Sequence, residues 1–138
     1  MNRIRARTKT GESAKRGFLS FELVLTLPIL GIVLLGLFEF AVLFFARGTL
    51  VEASRVAARK ASLPGVTVRD VKAEVRRVVS PRLARTARID VDLGEQAGDV
   101  VRVAVNVPMN QAAPDLLWPI GFRLRGRSLH SETRMIKE

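Results

Sequence analysis

The stretch "KRGFLSFELVLTLPILGIVLLGLFEFAVLFFARG" (residues 15–48) decides how this chain is read. It opens on two cations and a glycine and then turns apolar. From Phe18 to Ala46 only Glu22 and Glu39 carry charge. A helix that crosses a membrane needs about 20 largely apolar residues, and Phe18–Phe38 supplies them. At about 1.5 Å per residue the two carboxylates stand about 26 Å apart along a helix, one toward each face of the bilayer. Both are expected to reach for the headgroups by snorkelling, with Glu39 the intramembrane charge if the apolar run to Phe45 is embedded. A buried core helix fits poorly, because a chain of 138 residues has too little other material to surround so long an apolar rod.

The flanks give an orientation. Residues 1–17 hold Arg3, Arg5, Arg7, Lys9, Lys15 and Arg16 against Glu12 alone. The denser basic cluster is N-terminal, so the N-terminus is expected in the cytoplasm. The apolar run exceeds the 7–15 residues usual for a cleaved secretory signal. The best small-residue site, Val51-Glu52-Ala53, lies well beyond it.

Gly17 joins two signals. It ends the basic leader, and a glutamate stands five residues on. No other glycine of the ten has a glutamate at that distance, and no other stands at a basic-to-apolar boundary. The boundary, Phe18, Glu22 and the span together resemble the class III signal of type IV prepilins and pseudopilins. That resemblance implies cleavage by a prepilin peptidase between Gly17 and Phe18, with Glu22 the fifth residue of the mature chain. The physics agrees. A leader of several cations holds the helix end in the cytoplasm. Removing it frees the helix to slide outward and creates an amine on Phe18. A carboxylate in lipid is tolerated when paired with an amine on a neighbouring helix, so Glu22 would set filament register.

The run "RGFLSFELVLTLPILGIVLLGLFEFAVLFFARGTLVEASRVAARKAS" (residues 16–62) further resembles the TadE-like family, pseudopilins of tight-adherence (Flp pilus) systems. Its carriers are Arg16-Gly17, Glu22, Leu27-Pro28, Gly31, Gly36 and the Ala/Arg-rich continuation. By length the chain fits a TadE or TadF role. The resemblance implies a structural minor pilin at the bacterial cytoplasmic membrane, crossing it once, with its C-terminal part outside and a place in or under the pilus. Implied partners are the prepilin peptidase, inner-membrane platform proteins, other TadE/TadF-like pseudopilins and the major Flp pilin. Pro28, Gly31 and Gly36 would serve helix packing in the filament: glycines allow close approach, and the proline allows a kink.

Past the membrane the helix is expected to reach about Ser62. Ala53, Ala57 and Ala61 recur every four residues and permit a close approach, either to another subunit or to the chain's own head. Leu63-Pro64-Gly65 breaks the helix. Thr67 and Asp70 read as a capping pair for a second helix with an apolar face of Val68, Val71, Val75, Val78 and Val79. Residues 87–93 and 100–108 alternate as strands of a hairpin. Residues 109–121 read as a loop whose Leu116, Leu117, Trp118 and Ile120 are too apolar for idle solvent; they are expected to plug the core, the alternative being a contact surface for a partner. Residues 122–136 read as a third strand, with a bulge at Gly126. The fold class is therefore α+β: a leader (1–17), a transmembrane helix and stalk (18–62), and a head of one helix on a three-stranded antiparallel sheet (63–138).

Composition excludes several functions. The chain has no cysteine and one histidine, His130, so thiolate sites and histidine triads have nothing to build on. Asp90 and Asp92 share a strand face without a third ligand and read as exposed. No catalytic residues, metal ligands or cofactor are expected, and the chain is not read as an enzyme. The formal charge of +10 admits a DNA-uptake pseudopilin, but no recognition motif accompanies it, so nucleic acid is not expected as a partner. The alternative from another class is an uncleaved, signal-anchored module whose outer domain binds a partner.

Overall fold

The computed structural model describes residues 11–138, with side chains from residue 20 onward. Residues 1–10 of the basic leader, and the surroundings of Gly17 and Phe18, lie outside the described residues.

Helix α1 (Gly11–Ala61) carries the apolar stretch and continues into the head. It begins before Phe18, where the apolar run starts. Residues 12–16 (Glu-Ser-Ala-Lys-Arg) include good helix formers that extend it backward. Pro28 lies inside the helix. Its ring nitrogen cannot donate to the carbonyl one turn back, which removes one rung of the ladder. The helix ends where expected, at Leu63-Pro64-Gly65, and Gly65 takes a positive φ of 77°.

Helix α2 (Val68–Val78) starts with a full capping box. The Thr67 hydroxyl accepts from the Asp70 amide, and the Asp70 carboxylate accepts from the Thr67 amide at 3.1 Å. Val71, Val75 and Val79 are buried, while Val68 stays exposed. A short helix α3 (Pro81–Thr86) follows, its proline in the first turn where no donor is needed.

Strands β1 (Arg88–Asp92), β2 (Val100–Pro108) and β3 (Ser128–Ile136) form an antiparallel sheet in the order β1-β2-β3. The register pairs Ile89 with Val105, Val103 with Thr133 and Val107 with Leu129. Alternation puts Ile89, Val101, Val103, Val105, Val107 and Leu129 on one face, and the end of α1 together with α2 covers it. The C-terminus is stitched to this unit, because the Glu138 amide donates to the Ser62 carbonyl at 3.0 Å.

Two expectations fail between β2 and β3. The third strand begins at Ser128, not at residue 122, and Gly126 (φ 83°) stands in a turn before it rather than in a bulge. Of residues 122–127 only Leu124 is buried. The segment from 109 holds a one-turn helix α4 (Met109–Ala112) and a 3₁₀ turn (Trp118–Ile120). Met109 and Ala112 pack against the core, but Leu116, Leu117, Trp118 and Ile120 do not plug it. Trp118 and Ile120 are exposed, and Leu116 and Leu117 lie against α1 outside the main cluster. The sheet and helices already close the core with valines and alanines, so the loop finds its cover elsewhere.

Candidate assembly surface

Between residues 20 and 38 nearly every side chain of α1 is exposed. The helix segment Ser20–Ala61 is long and apolar enough to cross a membrane, with a mean hydropathy of 2.6 in its most apolar window. Glu22 lies on this open rod, and its backbone carbonyl accepts the Thr26 hydroxyl. A carboxyl on such a surface faces lipid or another helix once water is removed, and hydrocarbon leaves it unsolvated.

Glu39 behaves differently. It is 1% exposed although its chain neighbours Leu37, Phe38 and Phe40 are open. Its Oε2 accepts the backbone N–H of Leu116 at 2.8 Å and of Leu117 at 3.1 Å. Its Oε1 has no hydrogen-bond partner among the described residues. The side chain expected to snorkel is instead held by the chain's own head. Two backbone N–H donors on one carboxyl oxygen offset part of the cost of burying that oxygen.

The small residues divide into two groups. Nothing described lies within 4 Å of where a Cβ on Gly31 would stand, so that position is open. Pro28 shares the same uncovered rod. At Gly36 a Cβ would stand 3.4 Å from a methyl of Leu117, so the loop occupies that notch. Ala53 and Ala57 are fully buried in the core with Leu50, Ala58 and Ala61. Of the two partners open to the alanine stripe, the structure shows the chain's own head.

Ser54 lies inside that stripe and was not singled out in the sequence. Its hydroxyl is 2.9 Å from the Val51 carbonyl, 3.0 Å from the Ser131 hydroxyl and 2.8 Å from that of Thr133. A hydroxyl has one proton, so donation to Val51 leaves Ser54 accepting from β3. This polar node fixes α1 against the sheet at one height and one rotation. The only hint in the sequence was a serine in an otherwise alanine face. Lys60 adds a second tie, 3.0 Å from Glu74 of α2, and this contact holds the Glu74 carboxyl below its ordinary range.

The opposite face of the sheet is polar. Glu132 takes Arg102 at 2.8 Å and Arg134 at 2.7 Å, with His130 at 3.8 Å. Hydrogen bonds from Arg102 and then Arg134 pull the Glu132 carboxyl down to about 2. A groove of about 450 Å³ runs between α1 and β3, lined by Glu52, Arg55, Val56, Arg59, Thr133 and Met135. Asp90 and Asp92 are exposed on β1, and no cluster of three or more metal-ligating side chains occurs among the described residues.

The arrangement is an apolar rod with a small head clasping its far end. No curated protein and no solved structure gives a significant match to the chain. The family model described as TadE-like protein matches residues 17–59, beginning at the glycine that ends the basic leader.

Proposed function

We propose that this chain is a structural, pseudopilin-like component of a Tad (Flp-type) pilus system, anchored in the cytoplasmic membrane by α1 with its head outside. The carrying observation is the family match over residues 17–59, whose first residue coincides with the basic-to-apolar boundary. The uncovered rod supports it, because a surface this apolar needs lipid or neighbouring helices. In this reading the prepilin peptidase cuts between Gly17 and Phe18, and the Glu22 carboxyl meets the new amine of an adjacent subunit. Gly31 and Pro28 lie on the part of α1 left free for other pseudopilins, the major pilin and the platform proteins. Gly36, Ala53 and Ala57 hold the chain's own head. The role is structural, without catalysis or a cofactor.

Intact-mass and N-terminal analysis of the protein from its native membrane tests this. An N-terminus at Phe18, with or without a methyl group, supports processing. A chain that retains its leader removes the processing step and leaves a signal-anchored binding module as the working description.

A further inference from the structure

The segment after α4 exposes three large apolar side chains within five residues. Trp118, Ile120 and Phe122 are 60%, 55% and 41% exposed. Arg123, Arg125 and Arg127 follow at alternate positions and are all exposed. The Arg127 guanidinium lies 5.1 Å from the centre of the Phe122 ring. Beside them a groove of about 330 Å³ is lined by Asn110, Asp115, Trp118, Arg123 and Arg125, two cations against one acid.

The height of this segment on α1 is fixed. The Leu116 and Leu117 amides are bonded to Glu39, and Leu117 rests on Gly36. Trp118 is the next residue, about 3.8 Å further by Cα spacing. From Phe18 to Glu39 the helix rises about 32 Å, close to the hydrocarbon thickness of a bilayer. Glu39 and its loop therefore stand where hydrocarbon gives way to headgroups. Around them α1 still exposes Phe38, Phe40, Phe44 and Phe45, so the loop's apolar tip widens an apolar collar already present on the helix.

We propose that Trp118–Arg127 is a second membrane contact: Trp118, Ile120 and Phe122 enter the interfacial layer of the bilayer that α1 crosses, and Arg123, Arg125 and Arg127 take the phosphates of anionic lipids. Tryptophan suits that layer because its body is apolar and its N–H stays wet. Arginine stems lie along apolar surface while the guanidinium reaches phosphate. The head is then held against the membrane surface at two points, the helix and the loop. The proposal rests on α1 spanning the membrane, and the test separates the two.

Trp118 is the only tryptophan, and the chain has no tyrosine, so its emission reports on this loop alone. The full chain is reconstituted into phosphatidylcholine vesicles with and without phosphatidylglycerol. Quenching is compared for lipids brominated near the headgroup end of the acyl chain, for lipids brominated near the methyl end, and for aqueous acrylamide. The expected result is a blue-shifted emission, quenched more by the shallow bromines than by the deep ones and protected from acrylamide. In phosphatidylglycerol membranes, Arg123→Gln/Arg125→Gln/Arg127→Gln should lower shallow quenching by roughly twofold. Full acrylamide access in a chain that resists alkaline extraction overturns the loop contact while leaving the span standing. Release of the chain by alkali overturns both. Protection that appears only at high protein-to-lipid ratio assigns the loop to a second copy of the chain and overturns the lipid contact.

Discussion

The Glu39 carboxylate accepts the Leu117 amide at 3.1 Å across 78 residues of chain, and the same oxygen takes the Leu116 amide at 2.8 Å. An acid inside the long helix thus serves as the docking point for a loop of the head. A buried amide left without its acceptor costs about 1–3 kcal/mol. Glu39→Ala should therefore free the loop, and amide exchange at Leu116 and Leu117 should rise by about one to two orders of magnitude. Glu39→Gln retains a carbonyl acceptor and should fall between. Hydrogen exchange of the reconstituted chain, read by mass spectrometry, checks this. Unchanged exchange in Glu39→Ala would mean that the loop is held by other contacts.

Ser54→Ala should loosen the head from α1. It strips the Ser131 hydroxyl, which is buried, and the Thr133 hydroxyl of their shared partner. An unsatisfied buried polar group costs about 1–3 kcal/mol. Urea unfolding in micelles should show that loss in the single variant. Adding Ser131→Ala and Thr133→Val should recover much of it, because both sides of the contact are then apolar.

The small residues of α1 should separate by role. Ala57 is fully buried in the core, so Ala57→Leu overfills it at a cost of about 1–3 kcal/mol. Gly31 has open space where a Cβ would stand, so Gly31→Leu should leave unfolding of the head unchanged. If Gly31 instead serves contacts between subunits, that variant should reduce piliation in the host at normal protein levels. Immunoblots and pilus counts of the two variants decide the assignment.

Acid should weaken the head through Glu132. Its carboxyl sits at about 2 in the fold, below the ordinary 4.5, because Arg102 and Arg134 hydrogen-bond its charged form. A depressed folded value stabilises above the unfolded value and loses that contribution as pH falls through the folded one. The stability difference between the native chain and Glu132→Gln should be full at neutral pH, begin to shrink near 4.5 and vanish near 2. Asp70 and Asp99 are also lowered by hydrogen bonds to nearby backbone or side-chain groups, so the native chain should lose further stability over the acid range. Chemical denaturation at several pH values reads the slope. A difference independent of pH would show that Glu132 acts by shape alone.

What the sequence determined by itself is local. A largely apolar run from Phe18 to Phe38, Leu-Pro-Gly after an alanine stripe, a Thr/Asp capping pair and strict alternation in residues 100–108 each encode their structure within a few neighbours. Helix, break, cap and strand follow from backbone sterics and periodicity alone, and β2 falls where the alternation put it. The pairing of distant groups was decided only in three dimensions. Nothing near Glu39 says that amides from residues 116 and 117 will come to it, and nothing near Ser54 names two hydroxyls of β3. The apolar loop read as a core plug for the same reason: hydrophobicity says that a residue seeks cover, but not which surface provides it. Valines and alanines close the core, and Leu116 and Leu117 rest instead on Glu39 and Gly36 of α1.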